Sequence, residues 1–304
     1  MSQAVAARSR RLPKTVWPYF LILPSLFCLG LIMGFPIYRL ITLSLEKYGL
    51  PEIIAGKGIF LGLDNFRKTL ADPEFWQVLR RTLIFTFGMV SVSIVAGGWL
   101  AHQMANMHSK IRWCLNGVLI LVWAMPQLVS ISVWRWLFSF DFSIVTSVIN
   151  SLGIHFAKHN YFVNSLSGFT IIGGSVVWGA LPFITISIYA ALTQVPKDLL
   201  ESAEIDGATS RQKFWHIIFP MLLPVYVILI SLSVIWDFQV FSHIWIFLES
   251  RPGPEYFTMA VYAFQKSFGM SEYGLGAAIS LIMIMVLIGV TAYYLRQMMQ
   301  IGDK

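Results

Sequence analysis

Six long stretches without a charged residue run through the chain and restrict the folds that are open to it. They lie at 15–38, 82–101, 113–134, 160–196, 217–236 and 273–295. A helix crosses the hydrocarbon core of a bilayer with about 20 residues, so each stretch is long enough to span it. The fourth is too long for one crossing, and we expect it to include an external or interfacial piece before Gly168. The sequence therefore predicts an all-α integral membrane protein with six transmembrane helices.

The composition agrees with a lipid bilayer as the surrounding medium. Hydrophobic residues make up 57% of the chain and charged residues 12%, about half the charged fraction of a typical soluble protein. The alternating short strand and helix patterns of a soluble α/β protein are missing. The net charge is +7, but no polar segment carries a basic stripe interleaved with aromatic residues. We therefore expect no nucleic-acid partner.

The N-terminal tail indicates the orientation in the membrane. It contains Arg8, Arg10, Arg11 and Lys14 but no acidic residue, and positive segments stay on the cytoplasmic side. Alternation of the spans then places the C-terminus inside as well. The first apolar run is too long for a cleaved signal peptide. We predict a multi-pass protein of the cell membrane (inner or plasma membrane), with a cytoplasmic tail at 1–15 and a single transmembrane domain at 16–304.

The predicted spans share the apolar composition described above. Their approximate bounds are 16–38, 82–105, 113–137, 168–193, 217–247 and 273–297. The segment between the first two spans, from Arg39 to Arg81, mixes charged and apolar residues in the pattern of short interfacial helices, interrupted at Asp72-Pro73. Gly168, Gly173 and Gly174 are small residues that let helices approach closely in a membrane.

Several kinds of chemistry are not expected of this chain. Cys28 and Cys114 are its only cysteines, too few for a disulfide framework and without nearby metal ligands. His102 and His108 are expected to be solvated loop residues. The chain has no Gly-rich phosphate loop followed by Lys-Ser/Thr, so we predict no ATP hydrolysis, no catalytic residue, no metal site and no cofactor of its own.

Charge is concentrated in one connection between two apolar segments. Seven charged residues lie from Lys197 to Lys213, so this part of the chain is expected to face solvent. Its pattern is helix, break, helix. Pro196 suits a helix start and Gly207 a helix end. Ser210 is a plausible N-cap for a second short helix, which Pro220 would stop. The sequence predicts an exposed helix–turn–helix over 196–220.

The same loop carries a family resemblance. Glu201-Ser202-Ala203, three residues, Gly207, nine residues and then Ile217-Ile218-Phe219-Pro220 resemble the EAA signature of ABC-importer permeases. Family members usually read Glu-Ala-Ala and Ile-x-Leu-Pro, so Ser202 and Phe219 depart from the pattern. The segments GLDNF and DPEFW before the second span and TLIFT at its start are similar to the sugar-type branch, the maltose/glycerol-phosphate permease family. The resemblance extends from the first span to the sixth.

The resemblance implies a type I importer permease fold with a cytoplasmic coupling helix. In such importers the loop docks into a groove on the nucleotide-binding subunit, and the glutamate at the position of Glu201 makes a key polar contact. The implied coupling residues are Glu201, Ser202, Ala203, Asp206, Gly207, Ile217 and Pro220. The implied partners are a second permease that is related but different, two ATP-binding subunits that hold ATP and Mg, and an extracytoplasmic substrate-binding protein.

A second group of residues is implied to contact the transported solute. An intramembrane acid such as Asp237 is by default a functional hypothesis, although it would lie at the outer interface if the fifth span ended early. Matching spans four and five to the family gives the pathway positions Val177, Gly179, Ala180, Phe183, Ser233, Trp236, Asp237 and Val240. Aromatic faces with a few hydrogen-bonding groups suit a sugar. Packing between helices is the alternative role for each of these residues.

The resemblance implies the permease of an ATP-driven importer that moves a sugar or sugar-like solute by alternating access. The stretch from Leu248 to Pro254 reads LESRPGP instead of the usual Leu-Thr-Gly-Gly-Gly-Pro, which leaves the class of sugar open. A permease for another solute is the close alternative. An ion-coupled secondary transporter would need intramembrane carboxylates in several spans and inverted repeats, whereas only Asp237 is present. A membrane-embedded enzyme would need a His or acid pair within the spans.

Overall fold

The computed structural model describes residues 17–140, 144–153 and 160–302, so the tail predicted at 1–15 lies outside the described residues. Helices make up most of this part of the chain. Its α-helices are α1 Trp17–Ser44, α2 Leu50–Ala55, α3 Asp64–Ala71, α4 Pro73–Asn106, α5 Ser109–Ala124, α6 Gln127–Leu137, α7 Ile144–Ser151, α8 Ser165–Leu192, α9 Lys197–Ile205, α10 Ser210–Lys213, α11 Phe219–Phe238, α12 Ser242–Phe247, α13 Met259–Phe264 and α14 Tyr273–Gly302. Strands β1 Glu46–Lys47 and β2 Ile59–Phe60 pair antiparallel.

Five of the described helices are long and apolar enough to cross a membrane, which confirms the predicted helical membrane fold. They are α1, α4, α8, the helical run Ser210–Phe238 and α14. Helices α5 and α6 together are also long and apolar enough, and they make a sixth span if they cross as one bent unit. Their axes differ by 99°. The bend falls at Met125 and Pro126, which separate the two helices. A proline lacks the backbone N–H that would continue the helix, and this explains why 113–137 is not one straight helix.

The helix ends differ from the predicted span bounds at three further places. Helix α1 continues to Ser44. Helix α4 begins at Pro73, nearer the N-terminus than the predicted 82, because the Asp72 carboxylate accepts a hydrogen bond from the Glu74 backbone N–H at 2.9 Å and caps it. Helix α11 ends at Phe238, well before 247. A helix end is not a membrane boundary, so the predicted spans stay predictions.

The bundle is centred on α4, which packs along α8 and α11, while α11 also contacts α14. Close approach depends on glycines, as the sequence predicts. Gly173 lies against Met89, and Gly97 lies against Ile184. A side chain at either position would collide with its neighbour. Helix α1 packs on α14, yet its side chains from Leu21 to Tyr38 are exposed in the single chain.

The segment between α1 and α4 covers one end of the bundle, which we call the outer end. The buried Asn65 amide donates to the carbonyl oxygens of Ser44 at 2.9 Å and Glu46 at 2.8 Å. The Gly274 backbone N–H at the start of α14 donates to the Tyr48 carbonyl at 3.1 Å. These bonds fasten the segment to the outer ends of α1 and α14.

The loop after α12 is also fastened at the outer end. The Tyr256 hydroxyl donates to the carbonyl oxygens of Phe162 at 2.8 Å and Asn164 at 3.1 Å. Burial, with a smaller contribution from the charge of Glu255, raises the pKa of Tyr256 to about 12. The phenol therefore stays protonated at neutral pH and remains a donor. Gly168 lies directly against this ring, which explains why a small residue is needed there.

Coupling loop and solute-pathway face

The first arm of the 196–220 loop is helix α9, and its end explains Gly207. The Ala208 N–H donates to the Ala203 carbonyl at 2.8 Å and the Gly207 N–H to the Glu204 carbonyl at 3.0 Å. This pair of bonds is the Schellman helix ending, which requires a left-handed residue just after the C-cap. Gly207 has φ +80°, a conformation that glycine adopts without steric cost. The predicted break after α9 is confirmed.

The second arm differs from the prediction in two details. Thr209, rather than Ser210, is the N-cap: its backbone N–H donates to the Gln212 side-chain oxygen at 2.8 Å, and its hydroxyl accepts from the Gln212 N–H at 3.3 Å. Such a capping box satisfies two free backbone donors. Pro220 does not stop the helix, because it lies in the first turn of α11, where a proline is tolerated.

The two helical pieces of this second arm are continuous. A π-helical turn, which is wider than an α-helical one, joins α10 to α11 over Phe214–Ile218, and the Phe219 N–H donates back to the Phe214 carbonyl. Such wide turns are rare and often lie at functional positions. The loop is therefore rigidly connected to the membrane helix that follows it.

The charged groups of the loop fall into two kinds. Glu204 on the first arm forms an ion pair with Lys213 on the second, which ties the arms together. Glu201 is exposed, and its carboxylate makes no hydrogen bond or ion pair with any described residue. The inner side of the turn, from Asp206 to Ile217, encloses a cavity of about 340 Å³. The loop thus presents an unpaired carboxylate on its first arm and an open concave surface at its turn.

The other predicted coupling residues lie along the same loop. Ser202, Asp206, Gly207 and Pro220 are exposed, while Ala203 and Ile217 are partly buried. The nonpolar side chain of Ile205, on the same loop, is 87% exposed. Of these residues, Asp206, Gly207 and Ile217 line the same cavity. Their contact with an ATP-binding subunit stays a prediction.

One contact of the loop was missed by the sequence reasoning. The ring of His102, which was expected to be solvated, packs edge to face against Phe214 with centroids 5.8 Å apart. His102 is partly buried near the C-terminal end of α4, so this helix contacts the second arm of the loop. The approach of a residue 112 positions earlier carries no local sequence signal, and only the helix packing reveals it.

The predicted pathway residues of α8 and α11 fall on two different faces. Phe183 and Trp236 are in edge-to-face contact, with ring centroids 5.6 Å apart. Trp236 is 54% exposed, and Gly179 is exposed with nothing within 4 Å of where a Cβ would lie. Val177 and Ala180 are partly buried beside them on α8. We call Trp236 and Phe183, together with the α8 positions Val177, Gly179 and Ala180, the aromatic face.

The remaining three pathway residues point into the bundle. Ser233, Asp237 and Val240 are all buried. The buried Oδ2 of Asp237 has no hydrogen-bond partner among the described residues, which is unusual because buried polar atoms are generally paired. Val240 lies beyond the end of α11, and its carbonyl accepts from the Thr258 hydroxyl at 3.1 Å. The early helix end thus separates Val240 from the helical face shared by Ser233 and Asp237.

The stretch that departs from the family pattern has an unusual backbone. Glu249 and Ser250 have φ of 55° and 63°, values that glycine adopts more readily than other residues. Arg135 of α6 forms an ion pair with Glu249. The turn borders an outer cavity of about 660 Å³ between α6 and α12. No metal-binding group of three His, Cys, Asp or Glu is found within residues 17–140, 144–153 and 160–302.

The described chain is thus a bundle of apolar helices with an exposed two-armed loop between α8 and α11. The sequence pattern of the family described as "binding-protein-dependent transport system inner membrane component" matches residues 93–300. The chain therefore belongs to this family.

Individual relatives agree with this assignment. The chain is 34% identical over 282 residues to the diacetylchitobiose uptake system permease protein DasB of Streptomyces coelicolor, covering 92% of this chain and 85% of the relative. It is 29% identical to the trehalose/maltose transport system permease protein MalF of Thermococcus litoralis, covering 91% and 92%. Its fold matches a crystal structure of a bacterial ABC transporter for alginate import with TM-score 0.77 and 17% identity, over 94% and 96% of the chains.

These comparisons confirm the predicted resemblance, the helical permease fold and the multi-pass membrane character. The protein is a permease component of a binding-protein-dependent importer. The coupling residues, the pathway residues, the domain bounds and the orientation of the termini stay predictions.

Proposed function

We propose that this permease moves a sugar or sugar-like solute by alternating access, powered by ATP hydrolysis in partner subunits. The observation that supports coupling is the 196–220 loop, a rigid two-armed surface with the free carboxylate of Glu201. Its second arm continues without interruption into α11. A force applied to the loop therefore moves the helix that carries Trp236 and Asp237. Rigid-body movement of this kind is a common way to transmit conformational change.

The proposal includes the assembly in which this permease works. Two ATP-binding subunits, holding ATP and Mg, would dock on the loops of two permeases, of which this chain is one and a related but different chain the other. A substrate-binding protein would deliver the solute at the outer end. This arrangement requires the coupling loop, the tail at 1–15 and the C-terminus to be cytoplasmic, as the positive residues of the tail favour.

Sugar is the solute class that the relatives and the aromatic face favour together. The relatives above are described as carriers of diacetylchitobiose and of trehalose or maltose. Sugar rings pack their C–H surfaces on aromatic side chains, and Phe183 with Trp236 offers such a surface. Ser233 and Asp237 would add hydrogen bonds, but they are buried in this conformation. A solute would reach them only after α11 moves relative to its neighbours.

Reconstitution tests this function. Proteoliposomes that contain this chain, its partner permease and the ATP-binding subunits would be given the binding protein loaded with a radiolabelled saccharide. Diacetylchitobiose, maltose and trehalose are suitable probes. We expect uptake of a saccharide that requires internal ATP and persists after ion gradients are collapsed. Uptake that follows an imposed ion gradient without ATP would instead indicate a secondary transporter, and ATP-driven uptake restricted to a non-sugar solute would limit the proposal to the importer mechanism.

A further inference from the structure

The outer end of the molecule carries an exposed apolar surface that the proposed function does not explain. Between α1 and α3, six large nonpolar side chains are exposed to solvent in the single chain. We call this set the outer apolar patch, and it consists of Leu50, Ile53, Ile54, Ile59, Phe60 and Leu63. Ile54 is 87% exposed and Phe60 is 74% exposed. An exposed patch of this kind marks a contact with another apolar surface.

The backbone holds the patch in place. Strands β1 and β2 pair Glu46 with Phe60 and Lys47 with Ile59. The Glu52 carboxylate accepts from the Gly49 N–H at 2.9 Å and forms an ion pair with Lys47 at 3.4 Å. The strand pair on either side of α2 and the bonds of Glu52 in its first turn hold the backbone that carries Ile54 and Phe60 in place.

The position of the patch indicates what covers it. β1 follows directly after Ser44, the last residue of α1, and the Tyr48 carbonyl accepts from Gly274 at the start of α14. Both helices are apolar enough to span a membrane. The side chains of α1 are exposed from Leu21 to Tyr38, whereas those of α14 are exposed only at positions from Ile284 onward. The patch therefore lies at the outer ends of two helices that can cross a membrane and follows the exposed face of α1, which puts it at the depth where hydrocarbon gives way to headgroups.

Two further features fit a membrane interface. Trp76 near the start of α4 is exposed and donates its indole N–H to the Leu70 carbonyl at 2.9 Å, and tryptophans are enriched at headgroup level. Lys47 and Lys57 are exposed at the edge of the patch, where they can contact anionic lipid headgroups. A nonpolar surface bordered by lysines is the usual composition of an interfacial anchor.

We propose that the outer apolar patch is an interfacial membrane anchor that inserts Ile54 and Phe60 into the adjacent leaflet, with Lys47 and Lys57 among the headgroups. The anchor would keep the outer ends of α1 and α14 at a constant depth while the bundle moves. The proposal concerns the lipid contact alone and does not depend on which solute is transported.

Lipid quenching of a fluorophore tests the anchor. In a variant without Cys28 and Cys114, single cysteines at Ile54 and Phe60 would be labelled with NBD. The protein would be placed in phosphatidylcholine–phosphatidylglycerol vesicles containing doxyl-labelled lipid. Ile288→Cys on the exposed face of α14 is the control for lipid contact, and Ser202→Cys in the coupling loop, measured before the ATP-binding subunits are added, is the control for water. We expect both patch positions to show blue-shifted emission and doxyl quenching close to that of the Ile288 control.

Two results would overturn the proposal. Emission and iodide quenching equal to those of the Ser202 control would show that the patch faces water. Blue-shifted emission that neither doxyl lipid nor iodide quenches, in the assembled complex, would show that protein covers it. Labelling two positions separately keeps the test valid if one substitution prevents folding, and size-exclusion chromatography checks folding in each case.

Discussion

Phe183 of α8 and Trp236 of α11 meet edge to face, with ring centroids 5.6 Å apart. On its other side, the Phe183 ring is stacked with Trp123 of α5 at 6.4 Å. Three helices thus meet in one aromatic group, and Trp236 remains 54% exposed. A movement of α11 changes the shape of this surface directly.

Removal of the Trp236 ring should weaken solute handling without unfolding the protein. The exposed indole contributes little to the core. Its contact with a sugar face is worth about 1 kcal/mol, and the variant would lose that contact. We expect Trp236→Ala to raise the apparent KM for saccharide uptake about fivefold. Trp99→Ala, at another exposed tryptophan on α4, is the matched control and should leave KM unchanged. Equal effects of both substitutions would mean that the aromatic face has no special role.

Accessibility of Ser233 should depend on the transport cycle. Ser233 is buried and Gly179 is exposed, so alternating access predicts different behaviour for cysteines at the two positions. In the complex without Cys28 and Cys114, Ser233→Cys should react slowly with a small methanethiosulfonate reagent. Addition of ATP, vanadate and loaded binding protein should increase its rate, whereas Gly179→Cys should react in both states. A constant slow rate at Ser233 would place it permanently in the core.

Much of this architecture could be predicted from the sequence because it depends on local patterns. The uncharged stretches predict the membrane helices, and Gly207 predicts the end of α9 since a left-handed residue is needed there. The break at Pro126 and the end of α11 at Phe238 were missed. A proline can be accommodated within a span, so its presence alone does not predict a 99° bend.

The candidate site was less predictable than the fold. The eight pathway positions were identified by matching spans four and five to the family. Such a match cannot show which of these side chains point into the bundle. The faces of α11 depend on contacts with α4, α8 and α14, which are distant in sequence. The contact between His102 and Phe214 was missed for the same reason.

Asp237 offers a test of the buried polar group. Its Oδ2 lacks a partner in the described part of the chain, so replacing it breaks no internal hydrogen bond at that atom. If the carboxylate binds solute hydroxyls during transport, Asp237→Asn should keep partial uptake. Asp237→Leu should lose most of it, since each bond to a charged group is worth about 1.5–3 kcal/mol. Uptake must be normalised to the amount of assembled permease.

A second buried polar group, the hydroxyl of Thr185, provides the control for Asp237. Thr185 on α8 is also buried, and its Oγ1 has no hydrogen-bond partner among the described residues. Thr185→Val should have little effect on normalised uptake. Normal uptake by Asp237→Leu would show that Asp237 does not contact the solute. A loss of assembled complex in place of activity would assign it a structural role.

The left-handed conformation of Gly207 predicts a strict order among substitutions. A residue other than glycine costs about 1–2 kcal/mol in this region, asparagine less than most and β-branched residues more. We therefore expect Gly207→Asn to retain most uptake and Gly207→Val to lose it, with both proteins inserted in the membrane at normal levels. Thiol labelling of Cys114 in detergent would compare their folding. Equal uptake by the two variants would contradict the role assigned to this turn.

The central claim is that the 196–220 loop couples ATP hydrolysis to movement of the membrane helices. The most direct measurement is ATP hydrolysis by the reconstituted complex with and without loaded binding protein, comparing Glu201→Lys with Asp198→Lys, a charge reversal in the first turn of the same helix. Reversing a charge at a desolvated contact costs a few kcal/mol. We predict that Glu201→Lys abolishes the stimulation while Asp198→Lys retains it. Full stimulation in the Glu201→Lys complex would contradict the account.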